Sequence, residues 1–165
     1  MYWLLVVAAV PFVYVLFSGA PYLPTLSNER GRVLGLLNLS SKDTLIDLGS
    51  GDGGLLLQAA HHGIRSIGYE RNIALVIISR IRLFPHRKLC KVYWKNMWTV
   101  QLPPQTTAVY CFLVPRLMRR LEIYLQQQTV DFTFVSYANK LPSKVGGIAH
   151  GPFYVYEFTH TQLDK

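Results

Sequence analysis

The chain opens on a run of apolar residues, Met1 to Phe17, interrupted in character only by Pro11. Pro21 and Pro24 punctuate the linker that follows, where proline ends a helix and holds the backbone extended. Thr25 or Ser27 can then cap a helix through Arg30, Val33, Leu34 and Leu37, whose apolar positions keep helical spacing. From Thr44 onward, short apolar runs alternate with amphipathic stretches. The runs predict strands at 44–48, 66–69, 89–94, 108–113, 132–137 and 153–158. The amphipathic stretches predict helices near 53–62, 72–84 and 115–127. A continuous apolar strand such as 108–113 belongs to a sheet covered on both faces. Strand and helix in alternation predict one open, mostly parallel α/β sheet. Segment 153–158 follows 132–137 without a clear helix between them, so it is expected as an antiparallel edge strand. There is no internal repeat.

The first run divides the chain. Its length approaches the hydrocarbon thickness of a bilayer at about 1.5 Å per residue. Tyr2, Trp3 and Tyr22 stand where interfacial aromatics belong. Arg30 and Arg32 follow the run and no positive residue precedes it, which orients the rest toward the cytoplasm, or toward the matrix in a mitochondrial membrane. The expected organisation is an anchor helix at 1–20, a linker and pre-domain helix at 21–40, and one domain at 41–165. A cleaved signal peptide would need a basic start that the chain lacks. The small residues Ser18, Gly19 and Ala20 nevertheless keep that reading open, and a buried core helix is the other, because the run is slightly short for a span.

Half the 165 residues are hydrophobic and only 16% are charged, which excludes a disordered tail and a coiled coil. Cys90 and Cys111 match neither a disulfide framework nor a metal spacing. On a helix the adjacent His61 and His62 point about 100° apart and cannot share one ion, so no metal is expected. The formal net charge of +8 points to an anionic partner. Arg80, Arg82, Arg87, Lys88, Lys91 and Lys95 form one cluster, and Arg116, Arg119 and Arg120 another. Such groups are by default a solvated face; behind an anchor, the functional reading is contact with anionic headgroups. Tyr93, Trp94 and Trp98 lie among these charges and keep RNA binding open, although their strand-like spacing expects at least half of them in the core.

The densest chemistry lies at residues 47–54, Asp-Leu-Gly-Ser-Gly-Asp-Gly-Gly. Gly49, Gly51 and Gly54 fit the G-x-G-x-x-G spacing of a dinucleotide loop. Asp47 and Asp52 oppose that reading, since two carboxylates without a cation in the loop would repel a pyrophosphate. A ligand with positive charge at that end fits better. S-adenosylmethionine carries an α-ammonium and a sulfonium and no phosphate; Asp47 can orient the ammonium, and the loop's N–H groups are expected to stay open for the carboxylate. Glu70 stands 23 residues after Asp47, at the end of the second predicted strand, where an acid binds ribose hydroxyls.

These residues carry a resemblance. LIDLGSGDG at 45–53 resembles motif I of class I S-adenosylmethionine-dependent methyltransferases, and IGYE at 67–70 resembles their acidic second motif. More narrowly, the chain is similar to membrane-anchored protein-lysine methyltransferases that modify the adenine nucleotide translocase or the ATP synthase c-subunit. The similarity rests on the apolar start, APYLPT at 20–25, DLGSGDG, IGYE, and Phe112-Leu113-Val114-Pro115, and covers most of 18–138. It implies a Rossmann-like sheet and a membrane-associated protein substrate. It also implies that Asp47, Gly49, Ser50, Gly51 and Asp52 line the methionine end, Glu70 holds the ribose, and Asn96 with Met97 and Trp98 lies at the adenine. Two positions depart from the family pattern: Asn96 replaces an Asp, and Gly54 replaces an Arg, so the helix start lacks its own cation. Methyl transfer to an amine is chiefly positioning and desolvation, so no acid–base residue is required. Tyr22 and Thr25 are the candidates for walling the acceptor channel. An Asn/Asp-Pro-Pro-Tyr/Phe tetrapeptide is missing after the fourth strand, and neither cysteine follows a proline, as adenine- and cytosine-directed relatives would need. The alternatives are an RNA or small-molecule methyltransferase of this fold, or a non-catalytic membrane-associated module.

Overall fold

Strands form where the apolar runs stand. The computed structural model describes residues 27–143 and 147–159. Its seven strands are β1 (Thr44–Leu48), β2 (Arg65–Glu70), β3 (Cys90–Trp94), β4 (Ala108–Cys111), β5 (Phe132–Tyr137), β6 (Ile148–His150) and β7 (Phe153–Phe158), in one sheet of order β3-β2-β1-β4-β5-β7-β6. The first five are parallel; β7 runs antiparallel to β5, and β6 antiparallel to β7. The antiparallel segment therefore holds, but β7 is not outermost. β6 covers its edge, and its three exposed residues carry no apolar alternation by which to foresee it.

Among the described residues, four helices cover the sheet: α1 (Ser27–Leu37), α2 (Gly54–His61), α3 (Ile73–Leu83) and α4 (Met118–Gln126). On one face, α1 buries Val33, Leu34 and Leu37 with Leu45, Leu55 and Val135. There α3 packs Val76 and Leu83 against Cys90 and Val92 of β3. On the other face, Met118, Leu121 and Leu125 of α4 meet Ile46, Leu48, Val109 and Phe134. Alternate residues of β1 thus feed opposite layers, as a pleated strand requires. Truncating a wholly buried residue such as Leu121 to Ala costs on the order of 2–5 kcal/mol.

Tyr93 and Trp94 are exposed, against the expectation of core packing; β3 is an edge strand, so its outer residues have no neighbouring strand to pack on. Cys111 is fully buried and its thiol donates to the Leu48 carbonyl at 3.1 Å. Among the described residues, no helix is long and apolar enough to cross a membrane. The apolar segment 1–20, Tyr22 and Thr25 lie outside the described residues.

Candidate functional site

The strand order reverses at β1, which lies between β2 and β4. In open α/β sheets, ligands bind beyond the carboxyl ends of the strands at such a point. The loop from Asp47 to Gly54 leaves β1 there, and Glu70 ends β2 beside it. Gly51 and Gly53 take φ of 54° and 76°, a left-handed backbone that lets the chain double back into α2. Ser50 is buried under β2, and Gly68 makes room for it: a Cβ at 68 would lie 2.6 Å from Ser50 Cβ.

The loop is tied by its own donors. The N–H groups of Gly49 and Ser50 donate to the Tyr69 carbonyl at 2.9 and 3.2 Å. Gly51 N–H donates to Glu70 Oε2 at 2.9 Å, Gly53 N–H to the Ser50 carbonyl at 2.9 Å, and Gly54 N–H to Asp52 Oδ1 at 3.1 Å. The expectation that loop N–H groups stay open for a ligand carboxylate fails at these five positions. Three of these donors are taken up by β2, through Tyr69 and Glu70, and two by acceptors within the turn itself. The same fact argues further against a phosphate cradle, whose affinity comes from N–H groups aimed at the anion.

Glu70 is a clasp as well as a candidate ligand. Its second oxygen accepts from Asn72 N–H at 2.7 Å, so one carboxylate joins the loop to the cap of α3. Asn72 Oδ1 in turn accepts from Ala74 N–H at 3.0 Å, which starts α3 at a fixed point. An ionised carboxylate has about four lone-pair sites. Two remain for hydroxyl donors.

The two aspartates occupy different surroundings. Asp47 is buried, and desolvation pushes its carboxyl up to about 8. The charges of Glu70 and Asp52 push the same way, and Arg30 opposes them. Asp52 is half-buried at the loop's outer side, where Arg82 Nη1 pairs with its carboxylate and also donates to its carbonyl at 3.0 Å. Arg30 Nη2 lies 3.9 Å from the same carboxylate. Burial works to raise Asp52, but the Arg82 and Gly54 hydrogen bonds and the two cations hold it below the usual carboxylate range. The loop has no cation of its own, yet α1 and α3 each bring one to it.

Arg30 also resolves the departure at Gly54. A Cβ at position 54 would overlap Arg30 Cζ and Nη1 and lie 2.6 Å from Nη2. The guanidinium fills the space a side chain there would take, so positive charge reaches the start of α2 from another helix. Nothing local marks Arg30 in the sequence, because its contacts with 52 and 54 arise only when α1 docks on α2. Arg82 was legible only as one of a basic cluster.

Lys95 N–H donates to the Glu70 carbonyl at 3.1 Å, which carries Asn96 to the edge of the same site. Asn96 Oδ1 caps the short turn at Met97–Thr99 by accepting from Trp98 N–H at 3.3 Å. Met97 is buried in the core beside Tyr69 and Leu113, and Trp98 packs edge-on against Tyr124. The structure thus brings Asp47, Gly49, Ser50, Gly51, Glu70 and Asn96 to one end of the sheet. It turns the Asp52 side chain outward toward arginines.

Residues 47–145, more than half the chain, match the model of the ANTKMT methyltransferase domain. The chain belongs to the ANTKMT methyltransferase domain family. Relatives of this family carry the names of two enzymes. The ATP synthase c-subunit lysine N-methyltransferase of Caenorhabditis elegans is 38% identical over 112 residues, covering 62% of this chain and 59% of that protein. Its Xenopus laevis namesake is 34% identical over 113 residues, covering 67% and 49%. The adenine nucleotide translocase lysine N-methyltransferase of Mus musculus is 33% identical over 111 residues, covering 66% and 48%. The chain spans about half the length of most of these relatives. Among solved structures, an RNA methyltransferase from Salinibacter ruber, in complex with S-adenosyl-L-homocysteine, superposes with a TM-score of 0.73 at 23% identity over 87% of this chain and all of that one. At that identity the likeness shows the shared fold.

Proposed function

We propose that this member of the ANTKMT methyltransferase domain family transfers a methyl group from S-adenosylmethionine to a lysine of a membrane-associated protein. The observation that carries the cofactor is the pairing of buried Asp47 with Glu70 at the switch point, in a loop whose donors are already engaged. A buried carboxyl pushed up to about 8 ionises readily only when a cation arrives beside it, and an α-ammonium is such a cation. Glu70 offers two unused lone-pair sites to a ribose diol. Ser50 Oγ, buried without a hydrogen-bond partner, is a polar atom a ligand can satisfy.

When bound, S-adenosylmethionine supplies an electrophilic methyl group on a sulfonium. The chain's part is to hold and orient. Asp47 would hold the ammonium and Glu70 the ribose, Asn96 stands where the adenine edge is expected, and Arg30 and Arg82 keep Asp52 from adding a second uncompensated charge. The acceptor amine must arrive neutral, and its desolvation near the basic body favours that form. The lysine acceptor is supported by the names of relatives across 33–38% identity. Residues 1–20 are proposed as a single-pass anchor that leaves the domain on the cytoplasmic or matrix side and raises the effective concentration of acceptors at the bilayer.

Radiolabelled methyl transfer into membrane lysate tests this reading. Label is expected in protein, on lysine after acid hydrolysis, with wild type and not with Asp47→Ala or Glu70→Ala. Label in RNA would replace the acceptor class. Calorimetry showing NAD bound in place of S-adenosylmethionine would overturn the cofactor.

A further inference from the structure

Among the described residues, nine large hydrophobic side chains are exposed, and seven of them fall between Ile73 and Trp94. Ile73, Ile77, Ile81 and Phe84 recur at helical spacing along the outer side of α3 and the turn after it, with Ile78 adjoining. The inner side of the same helix is Val76, Ser79 and Leu83. The helix is therefore apolar on both faces, and only one of them meets the sheet. Ile81 is 71% exposed and Phe84 63%. Contiguous apolar surface of this kind on a folded domain marks a contact surface.

Its rim is cationic. Arg71, Arg87, Lys88, Lys91 and Lys95 are all exposed on the segment that bears it, Arg87 and Lys91 beside Phe84. From residue 71 to residue 121 the chain contains no Asp or Glu and ten of its 17 Lys and Arg. Between α3 and β3 opens a cleft of about 310 Å³ whose lining includes Arg80, Arg87, Lys91, Phe84 and Tyr93. Arg80 is fixed there by two hydrogen bonds to the Val92 carbonyl, at 3.0 and 2.9 Å, and Arg87 lies over the Phe84 ring at 4.6 Å. The cleft thus sets three cations beside Phe84, the last residue of the apolar stripe.

We infer that the outer face of α3, with the cationic cleft beside it, docks in the plane of an anionic lipid surface. Isoleucines and a phenylalanine enter the acyl boundary, while arginines and lysines meet phosphate headgroups, as in helices that lie on membranes. Charge selects this occupant over the others. A second copy would set the same cationic rim against itself. The apolar run at 1–17 carries no charge to meet the cations. An RNA would have no use for the isoleucines. The docking does not depend on the methyl-transfer reading, but it bears on it: Asn72 caps α3 and donates to Glu70, so a docked α3 holds the site close to the bilayer.

A fluorophore at Ile81→Cys, in the full chain with Cys90→Ser, tests this directly, because Cys90 lines the cleft while Cys111 is fully buried, which leaves the new thiol as the accessible one. Ile148→Cys on β6, at the far edge of the sheet, is the control. Vesicles of phosphatidylcholine and phosphatidylglycerol in about a 2:1 ratio, with brominated chains, serve as probe. The label at 81 is expected to shift to the blue and be quenched, the label at 148 to do neither, and plain phosphatidylcholine to give no quenching. Arg87→Gln with Lys91→Gln is expected to weaken the response at 81 by roughly 30-fold in lipid concentration, at about fivefold per cation. A label at 81 that stays in water while the chain sediments with vesicles would overturn the docking, since the chain would then be held by another segment. Burial of that label without lipid would also overturn it: growing with protein concentration it would reveal a second copy, and independent of concentration a segment of the same chain.

Discussion

Asp47 and Asp52 belong to one loop, yet the fold gives them opposite tasks. Asp47 ends β1 inside the protein, where burial favours its protonated form; Asp52 stands at the rim, where Arg82 and Arg30 favour its charge. Their response to pH is therefore opposite. The Asp47 carboxyl ionises near 3.8 when unfolded and at about 8 when folded, so the unfolded chain loses its proton first as pH rises. Its contribution makes the fold less stable between those values, with no further change above 8. Asp52 is held below its ordinary range, so its contribution is present at neutral pH and lost as pH falls through the folded value. One carboxyl keeps its proton in the ligand-free chain and is poised for a cation. The other is a tie between three helices.

The widest gap between the two should appear on removing the charges one at a time. Asp47→Asn is expected to weaken S-adenosylmethionine binding by roughly 100-fold, as loss of a charged hydrogen bond implies, while raising the ligand-free melting temperature at pH 8.5 by about 2–4 °C. Calorimetry and thermal scans read both, and a drop in both would show Asp47 to be structural. Glu70→Ala should cost about tenfold to 100-fold in affinity and also loosen the loop, because Gly51 and Asn72 lose their common acceptor. Hydrogen exchange at those two amides checks the second part. Arg30→Ala should move the pH midpoint of binding upward by removing the cation that opposes the Asp47 shift. Gly54→Ala should do the same in part, since its Cβ would displace the guanidinium. The smallest effect belongs to Arg82→Ala, below about 1 kcal/mol of stability, because that pair is partly solvated.

The sheet could be read from sequence because its inner strands are apolar on both sides, which leaves one arrangement for runs such as Ala108–Cys111. β6 escaped because three exposed residues pair only with β7. Tyr93 and Trp94 misled because strand spacing tells which side a residue faces, and not whether the strand has a neighbour. Within the site, Asp47 and Glu70 were visible by spacing along one β-α-β unit. The outward turn of Asp52 was not, since its partners come from positions 30 and 82. The engagement of the loop's N–H groups also depends on a neighbouring strand, through Tyr69 and Glu70. Local chemistry shows in the sequence, and its counter-charges appear only with the fold.

Proton release on binding reports the state of Asp47 before and after the ligand arrives. Calorimetric titration of the protein with S-adenosylmethionine at pH 6.5, repeated in buffers of different ionisation enthalpy, counts protons exchanged per ligand. With Asp47 protonated before binding and ionised beside the α-ammonium after it, about one proton should be released per ligand, falling toward zero above pH 8. Tight binding with no proton exchange at pH 6.5 would mean that Asp47 does not ionise on binding and would leave it without its role.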